Sequence, residues 1–147
     1  MDIFTFKLNL LIKKMENCKI CNDHFIAKLV GRGIWHEWHS VGFVSECRDH
    51  IISLYTVILL YNKRIRCKHC SDHSNDYIIE TGDKVMEILN NYELTDSEVI
   101  EYFNHWLYDY HCRANIHSGK DPKTFPSYDE VANYYLNYEI CDKDCDK

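Results

Sequence analysis

The chain has 147 residues, a formal charge of −6, two prolines and five glycines. That length suits one domain with a buried core, and so few chain breakers argue against a loop-rich or disordered protein. The acidic balance gives no support to a general nucleic-acid binder.

Eight cysteines stand at positions 18, 21, 47, 67, 70, 112, 141 and 145. Two pairs are Cys-x-x-Cys (Cys18/Cys21 and Cys67/Cys70) and one is Cys-x-x-x-Cys (Cys141/Cys145). A secreted disulfide scaffold would account for many cysteines. However, the apolar alternation from Phe4 to Ile12 is interrupted by Lys7 and Asn9, is too short to span a bilayer, and leads to no small-residue cleavage site. The expectation is therefore a soluble chain, without a membrane partner, that is not exported by this route. In such a chain cysteine pairs are more often catalytic or metal-binding than structural.

In chain order, residues 1–27 read as an N-terminal extension carrying Cys18 and Cys21. Cys18 to His24 and Cys67 to His73 share the pattern C-K-x-C-x-D-H, but their flanks do not match. Next, Gly31, Arg32, Trp35 and His39 fall on one predicted helix, with Trp35 and His39 four apart on a shared face. Glycine and arginine at a helix entry suit an anion, and an indole beside an imidazole can stack on a planar ligand. A second helix is predicted from about Ser45 to Tyr61, with Ile51, Tyr55 and Ile58 as its stripe and Ile52 and Leu59 widening it.

This helix runs into Lys63, Arg64, Arg66 and Lys68 around the Cys67/Cys70 dithiol, which opens a third helix continuing through Tyr77 to Ile79. Cations and a helix N-terminus favour the thiolate, the nucleophile of disulfide exchange. The same spacing is also a zinc half-site. Thr95-Asp96-Ser97-Glu98 is a capping box opening a long helix with Val99, Phe103, Trp106, Tyr110 and Ala114 on one face, and Gly119 as its stop. On it His111 and Asn115 are again four apart. Ser127-Tyr128-Asp129-Glu130 is a second box, opening a short helix with Val131, Tyr134, Tyr135 and Tyr138. No strand alternation appears. The expected fold is all-α: a four-helix bundle plus a short fifth helix.

These residues carry a resemblance. The order Gly31-Arg32-x-x-Trp35-x-x-x-His39, then Cys67-x-x-Cys70, then Phe103-x-x-Trp106-Leu107-x-x-x-His111-x-x-x-Asn115-x-x-x-Gly119-Lys120 resembles the Erv/ALR family of FAD-linked sulfhydryl oxidases. Phe125 and the tyrosine-rich last helix fall where that family closes its flavin pocket. The resemblance covers residues 28–138 and leaves 139–147 as a charged tail with Cys141 and Cys145.

The resemblance implies FAD held within the bundle, contacted by Gly31, Arg32, Trp35, His39, His111, Asn115, Lys120 and Tyr135. It implies Cys67 as the outer catalytic thiol and Cys70 as the inner one. Electrons would pass from a protein dithiol substrate, or a small thioredoxin-like disulfide carrier, through the dithiol and flavin to oxygen, giving hydrogen peroxide. It also implies a homodimer, and a terminal pair (Cys18/Cys21 or Cys141/Cys145) acting as an electron shuttle.

The chain departs from the family pattern in several places. Cys112 stands where Asn is common, Ala114 replaces a valine, Ile65-Arg66 replace an aromatic and a proline, and Tyr135 replaces a tryptophan. Tyr108 replaces the first cysteine of a structural disulfide. These departures point toward the viral branch, in large cytoplasmic DNA viruses. The implied place is then the host cytoplasm (the viral factory) and the virion, and the implied task disulfide formation in virion proteins. A cellular member would sit in the mitochondrial intermembrane space. The alternative is a zinc-binding interaction module using Cys18, Cys21, Cys67 and Cys70, which leaves the two spaced aromatic and imidazole pairs without a role. A thioredoxin-like dithiol would follow a strand in a βαβ unit, and none is predicted.

Overall fold

The computed structural model describes residues 23–65 and 67–137, with side chains from Gly33 onward. Five α-helices follow one another: α1 (Asp23–Val44), α2 (Arg48–Asn62), α3 (Lys68–Leu89), α4 (Asp96–His117) and α5 (Tyr128–Leu136), with a 3₁₀ turn at Pro122–Thr124 before the last. There is no strand among the described residues, so the all-α expectation is met. No helix among them is long and apolar enough to cross a membrane. Cys18, Cys21, Arg66, Tyr138, Cys141 and Cys145, and the side chain of Arg32, lie outside what is described.

Both capping boxes form. Thr95 accepts the Glu98 N–H while the Glu98 carboxylate accepts from the Thr95 N–H, and Ser127 and Glu130 do the same for α5. Gly119 follows the Ser118 cap of α4 with φ +84°, a left-handed turn that glycine adopts without strain. The third helix runs ten residues beyond Ile79, to Leu89. Val85 and Leu89, four apart, carry its buried stripe onward past Gly82.

Helix α4 touches α1, α2 and α3, while α5 lies on α1. The expected face of α4 is the buried one: Val99, Phe103, Trp106 and Tyr110, joined by Leu107. Opposite it stand Ile51, Tyr55 and Ile58 of α2. Leu54, not Ile52, completes the α2 stripe, and Ile52 faces solvent. Leu54 lies between Ile51 and Ile58 in the helical repeat, whereas Ile52 sits about 100° off it. Trp106 anchors the centre, edge-on to Tyr55 and donating its indole N–H to Thr81 at 2.9 Å.

Three buried polar groups fix how the helices meet. Arg48 (7% exposed) donates to the carbonyls of Leu89, Asn91 and Leu94 at 3.1, 2.8 and 2.7 Å, tying the start of α2 to the α3–α4 turn. Asn62 Oδ1 accepts from Ser74 and Tyr110, at 2.6 and 2.8 Å, joining α2, α3 and α4. Asn104 donates to the Gly42 carbonyl at 3.2 Å, and a Cβ at Gly42 would collide with the Asn104 amide. Glycine is what lets α1 come this close to α4.

Candidate functional site

The dithiol begins α3. Cys67 is the N-cap residue, and its sulfur accepts the Cys70 N–H at 3.3 Å. Both cysteines are unbonded, half-buried thiols. A negative sulfur at Cys67 would meet a helix N-terminus, where orphan N–H groups and the dipole favour anions. The cation next to it on the helix is spent elsewhere, because Lys68 is exposed and bonded to Asp72 at 2.6 Å. Burial, then the bond to the Cys67 sulfur and its charge, push the Cys70 thiol up to about 11. In the reduced pair Cys70 therefore keeps its proton at neutral pH, contrary to the low-pKa thiol that the basic run suggested.

Cys70 lies near Tyr61, whose hydroxyl is raised first by burial and then by the charge of that sulfur. From there a file of rings runs inward. Tyr61 meets Trp38 edge-on at 5.4 Å, Trp38 meets Trp35 edge-on at 5.2 Å, and Trp35 lies flat on His111 at 4.4 Å with an interplanar angle of 4°. The file ends at a cleft of about 420 Å³ between α1, α4 and α5. His39, His111, Asn115 and Tyr135 line it, with Tyr108, Cys112 and Phe125.

Four of the eight predicted binding residues, His39, His111, Asn115 and Tyr135, thus meet in one place. His39 (1% exposed) shares a hydrogen bond of 3.1 Å between its Nε2 and His111 Nδ1. Lys120 donates to Asn115 Oδ1 at 2.7 Å at the cleft's edge, a position set by the turn at Gly119. Trp35 backs the cleft rather than lining it. Gly31 and Arg32 lie inside α1, which begins at Asp23, and not at a helix entry as expected, so the free N–H groups of a first turn are not there to meet an anion.

Both imidazoles are neutral at pH 7. Burial, then the nearby His36, bring His39 down to about 4; burial, then His39 and Lys120, bring His111 to about 3. His39 Nδ1 is buried with no hydrogen-bond partner.

Several contributors were not singled out from the sequence. Phe43 stacks on Tyr135 at 5.7 Å and 6°, and His36 bonds the Tyr135 hydroxyl at 3.2 Å, so α5 is fastened to α1 by rings. Phe43 repeats His39 at four residues, which is the signal that could have found it. The His36–Tyr135 contact joins residues 99 apart and has no local signature. Zinc coordination by four thiolates needs Cys18 and Cys21, outside the described residues; among the described residues no three His, Cys, Asp or Glu side chains are arranged to hold a metal.

A cavity of this size is within the range of small-molecule sites. Its walls are ring faces with few polar groups. The orphaned His39 Nδ1 calls for a partner that the protein does not supply, and Lys120 offers a cation at the rim. The donor set fits a planar heteroaromatic molecule bearing phosphates.

No family model, no curated protein and no solved structure matches this chain.

Proposed function

We propose that the chain is a FAD-dependent thiol oxidase of the Erv/ALR kind, its helices forming that family's four-helix bundle with a short fifth helix. One observation carries the reading: a dithiol capping a helix is joined, ring by ring through Tyr61, Trp38 and Trp35, to an imidazole-walled cleft. Dithiol and cleft come from segments that the sequence alone had already singled out.

His39 and His111 would hold the ring systems of FAD, with Trp35 stacked behind His111 and with Tyr135 and Phe125 closing over them. Asn115, Lys120 and Arg32 would face its polar chain. Bound FAD supplies a two-electron acceptor that oxygen reoxidises, with release of hydrogen peroxide.

The protein's own part is thiol chemistry. A substrate thiolate attacks the Cys67 sulfur of the Cys67–Cys70 disulfide, forming a mixed disulfide and freeing Cys70. The second substrate thiolate then attacks its partner sulfur, and the substrate leaves as a disulfide with the enzyme pair reduced. Cys67, at the open end of α3, takes the exchange; Cys70, against Tyr61, faces the rings. Neutral His39 and His111 avoid placing positive charge in the apolar cleft. Protein dithiols or a small disulfide carrier are the substrates, in virion assembly in the host cytoplasm, with the enzyme as a homodimer. A terminal cysteine pair serves as the shuttle.

The test is the visible spectrum of the purified protein, read before and after dithiothreitol under air with peroxide followed. Flavin bands, peroxide release and loss of turnover in Cys67→Ser and in Cys70→Ser are expected. A colourless protein that takes up no added FAD sinks the proposal, and zinc released on acidification would put the zinc module in its place.

A further inference from the structure

A second cluster sits beside the dithiol and has no part in the cleft. His69 lies between the two cysteines in sequence, and His73 follows Cys70 by three residues, the spacing at which helix side chains are neighbours. His117, in the last turn of α4, lies flat on His73, with ring centroids 4.0 Å apart and an angle of 4°, and reaches His69 at 4.2 Å. The Nε2 atoms of His73 and His117 are both buried with no hydrogen-bond partner.

A buried N–H without an acceptor costs about 1–3 kcal/mol. A neutral ring carrying its proton on Nδ1 avoids that by leaving Nε2 a bare lone pair. Two such lone pairs one turn from a dithiol are bases. Face-to-face rings this close cannot both be cations, so the stack takes one proton. Burial, then His73 and His69, bring the His117 ring below the ordinary histidine value. Of the charged groups on the surrounding turns, Lys68 pairs with Asp72 and Arg113 with Glu80, while Lys120 donates to the neutral Asn115 amide. Asp76, on the next turn of α3, points to solvent.

We propose that the imidazole stack of His69, His73 and His117 is the proton acceptor of the Cys67–Cys70 dithiol. Its use in turnover rests on the thiol-oxidase reading, but the proton transfer belongs to the reduced pair itself. In the step the S–H bond of a cysteine breaks, an N–H bond forms at Nε2 of the stack, and the electron pair stays on sulfur as thiolate. The proton then leaves to water through His69, the exposed member. The need for an acceptor is set by Cys70, whose thiol is pushed up to about 11 by burial and by the neighbouring Cys67.

The experiment is alkylation of the fully reduced, full-length protein by iodoacetamide under argon between pH 6 and 12, with Cys67 and Cys70 followed separately by mass. In the His73→Gln/His117→Gln double variant the rate at pH 7 should fall about tenfold and the midpoint of the rate–pH profile should rise by about one unit. An unmoved midpoint overturns the proposal.

A second measurement needs no variant. Imidazole NMR titrations of the wild-type protein, oxidised and reduced, should show a stack ring titrating at higher pH in the reduced form, because the coupling is reciprocal. Equal midpoints overturn it. Flavin absorbance is recorded on the same samples. A flavin-free protein with a shifted profile retains the proton acceptor and loses the oxidase; a yellow, peroxide-producing protein with an unmoved profile does the reverse.

Discussion

His39 and His111 hold the cleft's walls together as neutral rings, and that makes the fold sensitive to acid. Each titrates below the ordinary value of 6.5, at about 4 and about 3. Between 6.5 and those values the unfolded chain binds protons that the folded chain refuses, so stability is complete above pH 6.5 and declines as pH falls. Stability should drop steadily between pH 6.5 and 4, by on the order of a few kcal/mol in all, and the melting temperature should fall with it; a flat profile in thermal denaturation would contradict the buried neutral pair. A second residue-scale test is Gly42→Ala. The new methyl meets the buried Asn104 amide, and overpacking of this kind costs about 1–3 kcal/mol in chemical denaturation. The pairs Trp35/His39 and His111/Asn115 were legible because helix geometry makes four-residue spacing a shared face. Asn104 and Gly42 were not, since no periodicity in either helix announces a close approach 62 residues apart.

At the scale of elements, caps and stripes fixed where helices begin more firmly than where they end. Both boxes name their first turns, whereas α3 continues past a glycine that a local reading takes as a reason to stop. Helix α5 buries no residue fully, so its cap and its ring contacts with α1 hold it over the cleft. Ser127→Ala should cost about 1 kcal/mol in local stability. It should show as faster amide exchange across α5 and a lower flavin content, with the α2–α4 core unaffected. Arg48→Met tests the opposite end: three carbonyls lose their donor, and about 3 kcal/mol of global stability should go with them in urea denaturation. The α3–α4 turn that Arg48 gathers has no sequence signature tying it to α2, which is why an arginine at the start of a helix was not read as core.

For the whole molecule, the four long helices and the short fifth could be read from pattern alone. The ring file from dithiol to cleft depends on how α1 lies against α4, which pattern does not specify. Helix α4, like α2, touches each of the other three long helices, and it is the last of the four to be made. A ribosome releases α1, α2 and α3 first, with Ile51, Ile58 and Val85 still facing water. Their shared partner arrives only with the residues after Thr95. A nascent chain arrested before that point should be digested readily by protease and show little cooperative melting, while one extended past Leu136 should resist; equal resistance would mean that the first three helices fold alone. Synthesis therefore completes the cleft last, because it needs α1, α4 and α5 at once. The thiols at the head of α3 leave the ribosome well before the walls that would hold a cofactor, and for that interval they are exposed to the reductants of whatever compartment makes the protein.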